Sequence, residues 1–194
     1  MTLDYEHIIN TLNLSKNNKK VGIDGYCSLS FLLKDILNLS QSEKIKLGNN
    51  IEKFLNKTCI MFNGYKKLEY KFLFKCQIDE LLINEDTKTI IYSEYKSNIA
   101  LDSQKRKVMY THCLKINNLL AEKYPDYTIK ACIVNTRFLH IKDLPLQIRN
   151  RYKNMKKIKL YGINDYLNLL KIDCFDNYQD YTKFLKYLYE SSIR

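Results

Sequence analysis

Apolar positions recur along this chain at two periods, and the change from one to the other marks its elements. A period-two segment runs from Cys76 to Lys96. Its halves, Cys76 to Ile83 and Thr89 to Lys96, are rich in Ile, Leu and Tyr. Between them lies Asn84-Glu85-Asp86-Thr87-Lys88, polar and suited to a turn. That pattern predicts a β-hairpin. Helical spacing appears on both sides of it. Ile45, Leu47, Ile51, Phe54 and Leu55 predict a helix over 45–55, opened by the capping box Ser40-Gln-Ser-Glu43. A second helix is expected from Gln104 to Tyr124, between the N-cap sequence Asp102-Ser103 and Pro125. Thr128 to Asn135 is almost continuously apolar, as a buried central strand after a crossover helix would be.

Weaker patterns fill the rest. Residues 1–14 suit a short helix with Leu3, Ile8, Ile9 and Leu12 on its apolar side, and 28–39 suits another. Cys59 to Asn63, Glu69 to Cys76 and Phe138 to Ile141 are expected as short strands. Gly22-Ile-Asp-Gly25 reads as a turn, because no Lys-Ser or Lys-Thr pair follows to make a phosphate loop. From Lys142 onward the pattern is helical and basic, and the helices across 161–189 would pack on the core or form a dimer surface. The expected fold is α/β, a mixed central β-sheet flanked by helices with extra C-terminal helices. A chain of 194 residues suits one domain, with a core over about 40–141 and a basic extension over 142–194.

Charge adds a partner. Lys and Arg outnumber Asp and Glu by 32 to 21, a net charge of +11, and such an excess suits a polyanion. A lysine-rich composition alone is the competing explanation. The six cysteines form no C-x-x-C pair and read as reduced, buried residues of a cytosolic protein. No run approaches the ~20 apolar residues of a membrane span, and the N-terminus lacks a secretory pattern. The expectation is a soluble, intracellular protein with no membrane partner.

The hairpin carries the candidate chemistry. Side chains two apart on a strand share a face, so Glu94 and Lys96 lie with Ile90 and Tyr92, and Asp79 lies with Gln77 and Leu81. Strand pairing can bring Asp79 and Glu94 together at one end of the sheet. Two carboxylates there make a cation site, and the lysine beside them suits phosphate or hydroxide.

Asp79, followed fifteen residues later by Glu94-x-Lys96 at the end of an apolar strand, resembles the PD-(D/E)XK nuclease superfamily. Lys46-Leu-Gly48-Asn-Asn-Ile-Glu52 is similar to the glycine-to-glutamate pattern on that family's preceding helix, and the resemblance spans about 43–136. It departs from the family in having Ile78 before Asp79 and a second acid, Glu80, after it. The resemblance implies a restriction-endonuclease-like α/β/α core and a magnesium-dependent DNA nuclease, for which manganese can substitute. Asp79 and Glu94, with the backbone carbonyl of Tyr95, would hold the metal. Lys96 and Glu52 would complete the catalytic set. Gln104 and Tyr110 resemble a glutamine and tyrosine that line the site in the lambda-exonuclease branch. Phosphate contacts are expected from Gln104, Lys105, Arg106, Lys107 and Tyr110 at the start of the second helix, and from Arg149 and Arg151.

An endonuclease is favoured, whether restriction-like, junction-resolving or repair-related. A lambda-type exonuclease, a non-catalytic nucleic-acid-binding protein of the same fold, and a helical interaction protein remain open. So does a homodimer, and the location is cytoplasmic, or nuclear in a eukaryotic host or virus.

Overall fold

The computed structural model describes residues 3–14, 39–61, 64–69 and 78–192. The expected helix over 28–39 (all but Leu39), the Gly22–Gly25 turn and the segment 70–77 lie outside the described residues. In chain order the elements are α1 (Tyr5–Asn10), α2 (Gln41–Met61), β1 (Lys66–Lys67), β2 (Glu80–Asn84), β3 (Thr89–Lys96) and α3 (Ser103–Lys123). There follow β4 (Thr128–Asn135), a 3-10 turn (Ile141–Asp143), α4 (Leu146–Tyr152), β5 (Ile158–Gly162), α5 (Ile163–Leu169) and α6 (Tyr178–Ser191).

One mixed five-stranded sheet in the order β1-β2-β3-β4-β5 forms the centre. β1, β2 and β3 are antiparallel neighbours; β3, β4 and β5 run parallel. Parallel neighbours need a crossover, and α3 supplies it between β3 and β4, α4 between β4 and β5. Helices cover both faces, so the protein is an α/β fold with a mixed sheet flanked by helices. Ile91, Tyr95, Cys132 and Val134 pack toward α2, α5 and α6. Ile90, Tyr92, Ala131 and Ile133 pack toward Met109, Cys113, Ile116 and Leu120 of α3. This two-sided burial explains the unbroken apolar run of β4.

The local signals explain the boundaries. Ser40 N–H donates to Glu43 Oε2 at 2.7 Å and Glu43 N–H to Ser40 Oγ at 3.4 Å, closing the capping box of α2. Asp102 Oδ1 accepts from Lys105 N–H at 2.8 Å and starts α3, which ends at Lys123 before Pro125.

Three expectations are corrected. Cys59 to Met61 is the last turn of α2, not a strand, because Cys59 continues the buried helical side of Ile51 and Leu55. Phe138 to Ile141 is not a strand: the chain turns there, since Asn135 Oδ1 accepts from Arg137 and Phe138 N–H, and Asp143 Oδ2 from His140 N–H. The segment after Lys142 is not wholly helical. Ile158–Gly162 is a strand, parallel to β4, whose short length, with Lys159 and Gly162 among its five residues, masked its pattern. The apolar side of α6, with Tyr181, Phe184, Leu185 and Leu188, is buried in the core beside α1 and α2 rather than left for a second protomer.

Candidate active site

The hairpin register pairs Glu80 with Ser93. One step further along the same ladder sets Asp79 opposite Glu94. Lys96 Nζ lies 2.7 Å from Glu94 Oε1 and 3.9 Å from Asp79 Oδ2. Asp79 Oδ2 also accepts from Tyr95 N–H at 2.8 Å, and Glu94 Oε2 from the Tyr92 hydroxyl at 3.3 Å. Both carboxylate side chains are only 12% exposed, whereas Lys96 is 37% exposed. The lysine is therefore the open member of the group.

Glu52 comes to the same place from α2. It lines a cavity of about 230 Å³ with Gly48, Lys96, Asn98 and Thr136. Gly48 and Glu52 are one helical turn apart and share that side of α2. A Cβ built on Gly48 would meet nothing within 4 Å, so this glycine leaves the cavity open and no described backbone packs on it. Asn56, a further turn along, donates from Nδ2 to the Glu52 carbonyl at 2.9 Å and the Asp79 carbonyl at 3.3 Å. That contact ties α2 to the start of β2.

Electrostatics separates the roles of these groups. Burial, then repulsion from Asp79 and, after the opposing pull of Lys96, from Glu94, pushes the Glu52 carboxyl up to about 7. Asp79 is raised by burial and by the Glu94 charge. Burial works to lower Lys96, but its hydrogen bond to Glu94 and the charges of Glu94, Asp79 and Glu52 outweigh it and raise it. Lys96 thus stays an ammonium near neutral pH. Glu52 is a group that can exchange a proton there.

Glu80, the neighbouring acid, goes elsewhere. It is 1% exposed and accepts from the Tyr95 hydroxyl at 2.6 Å and from the Tyr166 hydroxyl on the opposite face of the sheet. Burial raises its pKa. Of the two adjacent carboxylates, only Asp79 reaches the rim.

Gln104 and Lys105 of α3 line a second cavity of about 610 Å³ together with Glu94 and Lys96. Lys107 is exposed. Burial pushes the Tyr152 hydroxyl up and the charges of Arg106 and Arg151 oppose it; that hydroxyl donates to the Ile99 carbonyl at 2.7 Å, tying the end of α4 to the loop before α3. Arg149 is half-buried, and its Nε has no hydrogen-bond partner among the described residues. Tyr110 packs against the core cluster under α3 and lines neither cavity, so it does not accompany Gln104 as the resemblance implies.

Sequence reasoning missed His112 and Asn135. His112 lines the larger cavity and stands eight residues after Gln104, a helical spacing that could have revealed it. Asn135 is 1% exposed and donates from Nδ2 to the carbonyls of Lys96 at 3.0 Å and Ser97 at 3.3 Å, fixing the chain as it leaves β3. Nothing in the sequence marks that contact.

No family model, curated protein or solved structure matches this chain. Among the described residues no helix is long and apolar enough to cross a membrane. Nor does any group of three or more His, Cys, Asp or Glu there form a cage for a metal ion. Magnesium does not require one, because it keeps waters and binds through one or two carboxylates plus substrate oxygens. Asp79 and Glu94 are such a pair, and the Lys96 ammonium between them shows that positive charge is favoured at that point. The donor set fits magnesium.

Proposed function

We propose that this protein is a magnesium-dependent DNA endonuclease of the PD-(D/E)XK type, with manganese able to replace magnesium. The observation that carries the reading is the convergence of Glu52 of α2, Asp79 just before β2, and Glu94 and Lys96 at the carboxyl end of β3, the central strand of the sheet. Open α/β sheets bind their ligands at that end. Asp79 and Glu94 would hold the metal, with the Tyr95 carbonyl as a third donor. When bound, the metal would activate water and neutralise charge on the phosphate.

The chain's own groups supply the rest. Lys96, fixed as an ammonium, places a compact positive charge where a phosphate oxygen gains charge during attack. Glu52, poised near neutrality and bordering the small cavity, orients a water and takes its proton. Lys105, Arg106, Lys107, Arg149 and Arg151 give the neighbouring surface a positive character that suits the phosphate backbone of DNA, and Gln104 adds a neutral hydrogen-bonding group. Because Lys96 lines both cavities, a strand lying across it can leave by both, which favours cutting within a strand.

The test is incubation of supercoiled plasmid and linear DNA with magnesium, manganese or chelator. Metal-dependent nicking or cutting by the parent protein is expected. Asp79→Ala, Glu94→Ala and Lys96→Ala are each expected to lose cleavage by at least about a hundredfold while retaining DNA binding in chelator. Full cleavage by any of the three variants would remove the assignment.

A further inference from the structure

The larger cavity has a character that phosphate chemistry does not explain. Most of its wall surface is apolar, from Leu101, Val108 and Met109, with Asp102, Gln104, Lys105 and His112 at separate points. Val108 is 65% exposed, and its neighbours one turn away on the helix surface, Gln104, Lys105, Thr111 and His112, are all polar. A phosphate backbone makes no use of an apolar wall. A volume of about 610 Å³ falls within the usual range for small-molecule pockets, a few hundred to a thousand Å³, and exceeds what a single base needs. Glu94 and Lys96 line the same cavity, so its occupant sits beside the reacting phosphate.

We propose that this pocket receives an unpaired nucleobase of the DNA strand whose phosphate lies at Lys96, so that the preferred substrate is single-stranded or locally unpaired DNA. The inference rests on the nuclease reading and deepens it. Leu101, Val108 and Met109 offer apolar contact to the faces of the base, and a thioether is a favourable neighbour for a π system. Gln104 has both a donor and an acceptor for a base edge. Lys105, whose ammonium lies 3.5 Å from Asp102 Oδ2 in an exposed pair that a phosphate can open, and Arg106 and Lys107 on the same turn of α3 supply the charge for the adjoining sugar-phosphate. A base paired and stacked inside a duplex cannot reach such a pocket without leaving the stack, which costs binding energy.

The test uses fluorescence anisotropy in chelator, so it does not depend on cleavage. The probes are a labelled oligothymidylate, an all-abasic strand of the same length and charge, and a blunt duplex. The parent protein is expected to bind the base-bearing strand about tenfold more tightly than the abasic one. Val108→Asn, neutral and at an exposed position, should shrink that gap to about twofold and leave duplex affinity unchanged; Val108→Asp should do the same with an added loss common to all three probes. Equal affinity of the parent for the base-bearing and abasic strands would overturn the proposal, as would an unchanged gap in Val108→Asn. Tighter binding of an oligouridylate than of the oligothymidylate would overturn the assignment to DNA. If these affinities behave as expected while no metal supports cutting, the base pocket stands and the nuclease reading falls. Cutting without any base-dependent gap gives the reverse.

Discussion

Replacing Glu52 by glutamine should make the protein more stable, and only on the alkaline side. In the folded chain the Glu52 carboxyl titrates at about 7, above its ordinary value of 4.5, because burial and the charges of Asp79 and Glu94 disfavour the carboxylate. The folded state therefore binds this proton more tightly than the unfolded state does. The contribution of Glu52 to stability is most favourable below about pH 4.5, falls as the pH rises toward 7, and carries the full penalty above it. The whole shift would correspond to about 3 kcal/mol in an enclosed site. Glu52 is partly exposed, and solvent screening reduces this to about 1–2 kcal/mol. Glutamine keeps the shape and cannot ionise. Urea unfolding in chelator should show Glu52→Gln and the parent equally stable near about pH 4, with the variant ahead by about 1–2 kcal/mol near about pH 8. Magnesium should narrow the gap by stabilising the parent, whose three acids would then face a cation. Cleavage should fall in the same variant. A variant no more stable than the parent at the higher pH would refute the claim that Asp79 and Glu94 crowd Glu52.

Two further outcomes follow from the fold and the charge. Gly162→Ala should cost about 1–3 kcal/mol by thermal unfolding, because its Cβ would stand 2.4 Å from the Leu139 carbonyl oxygen and 2.7 Å from His140 Cα, both backbone. DNA affinity should fall with salt at a log–log slope of about −3.6 if about four cations meet phosphates, and Lys105→Ala should reduce that slope by about 1; a slope near zero would remove the polyanion argument.

The sequence by itself determined the strands and helices whose periodicity is complete within the element. β3 and β4 begin and end where the apolar patterns do, and α2 and α3 start at the caps read from Ser40 and Asp102. Asp79, Glu94 and Lys96 were legible because their spacing depends only on the two-residue repeat and one hairpin register. What depended on distant partners was not. β5 is recognisable only as the neighbour of β4, and the turn after Asn135 is set by that one buried side chain.

Tertiary structure alone decided between Asp79 and Glu80. Two tyrosine hydroxyls, one of them 86 positions away, give Glu80 a buried home on the opposite face. It also decided which group near the site can exchange a proton. That property belongs to no residue type: it comes from burial and from three acids and one lysine gathered from separate elements, and a linear pattern does not contain those distances.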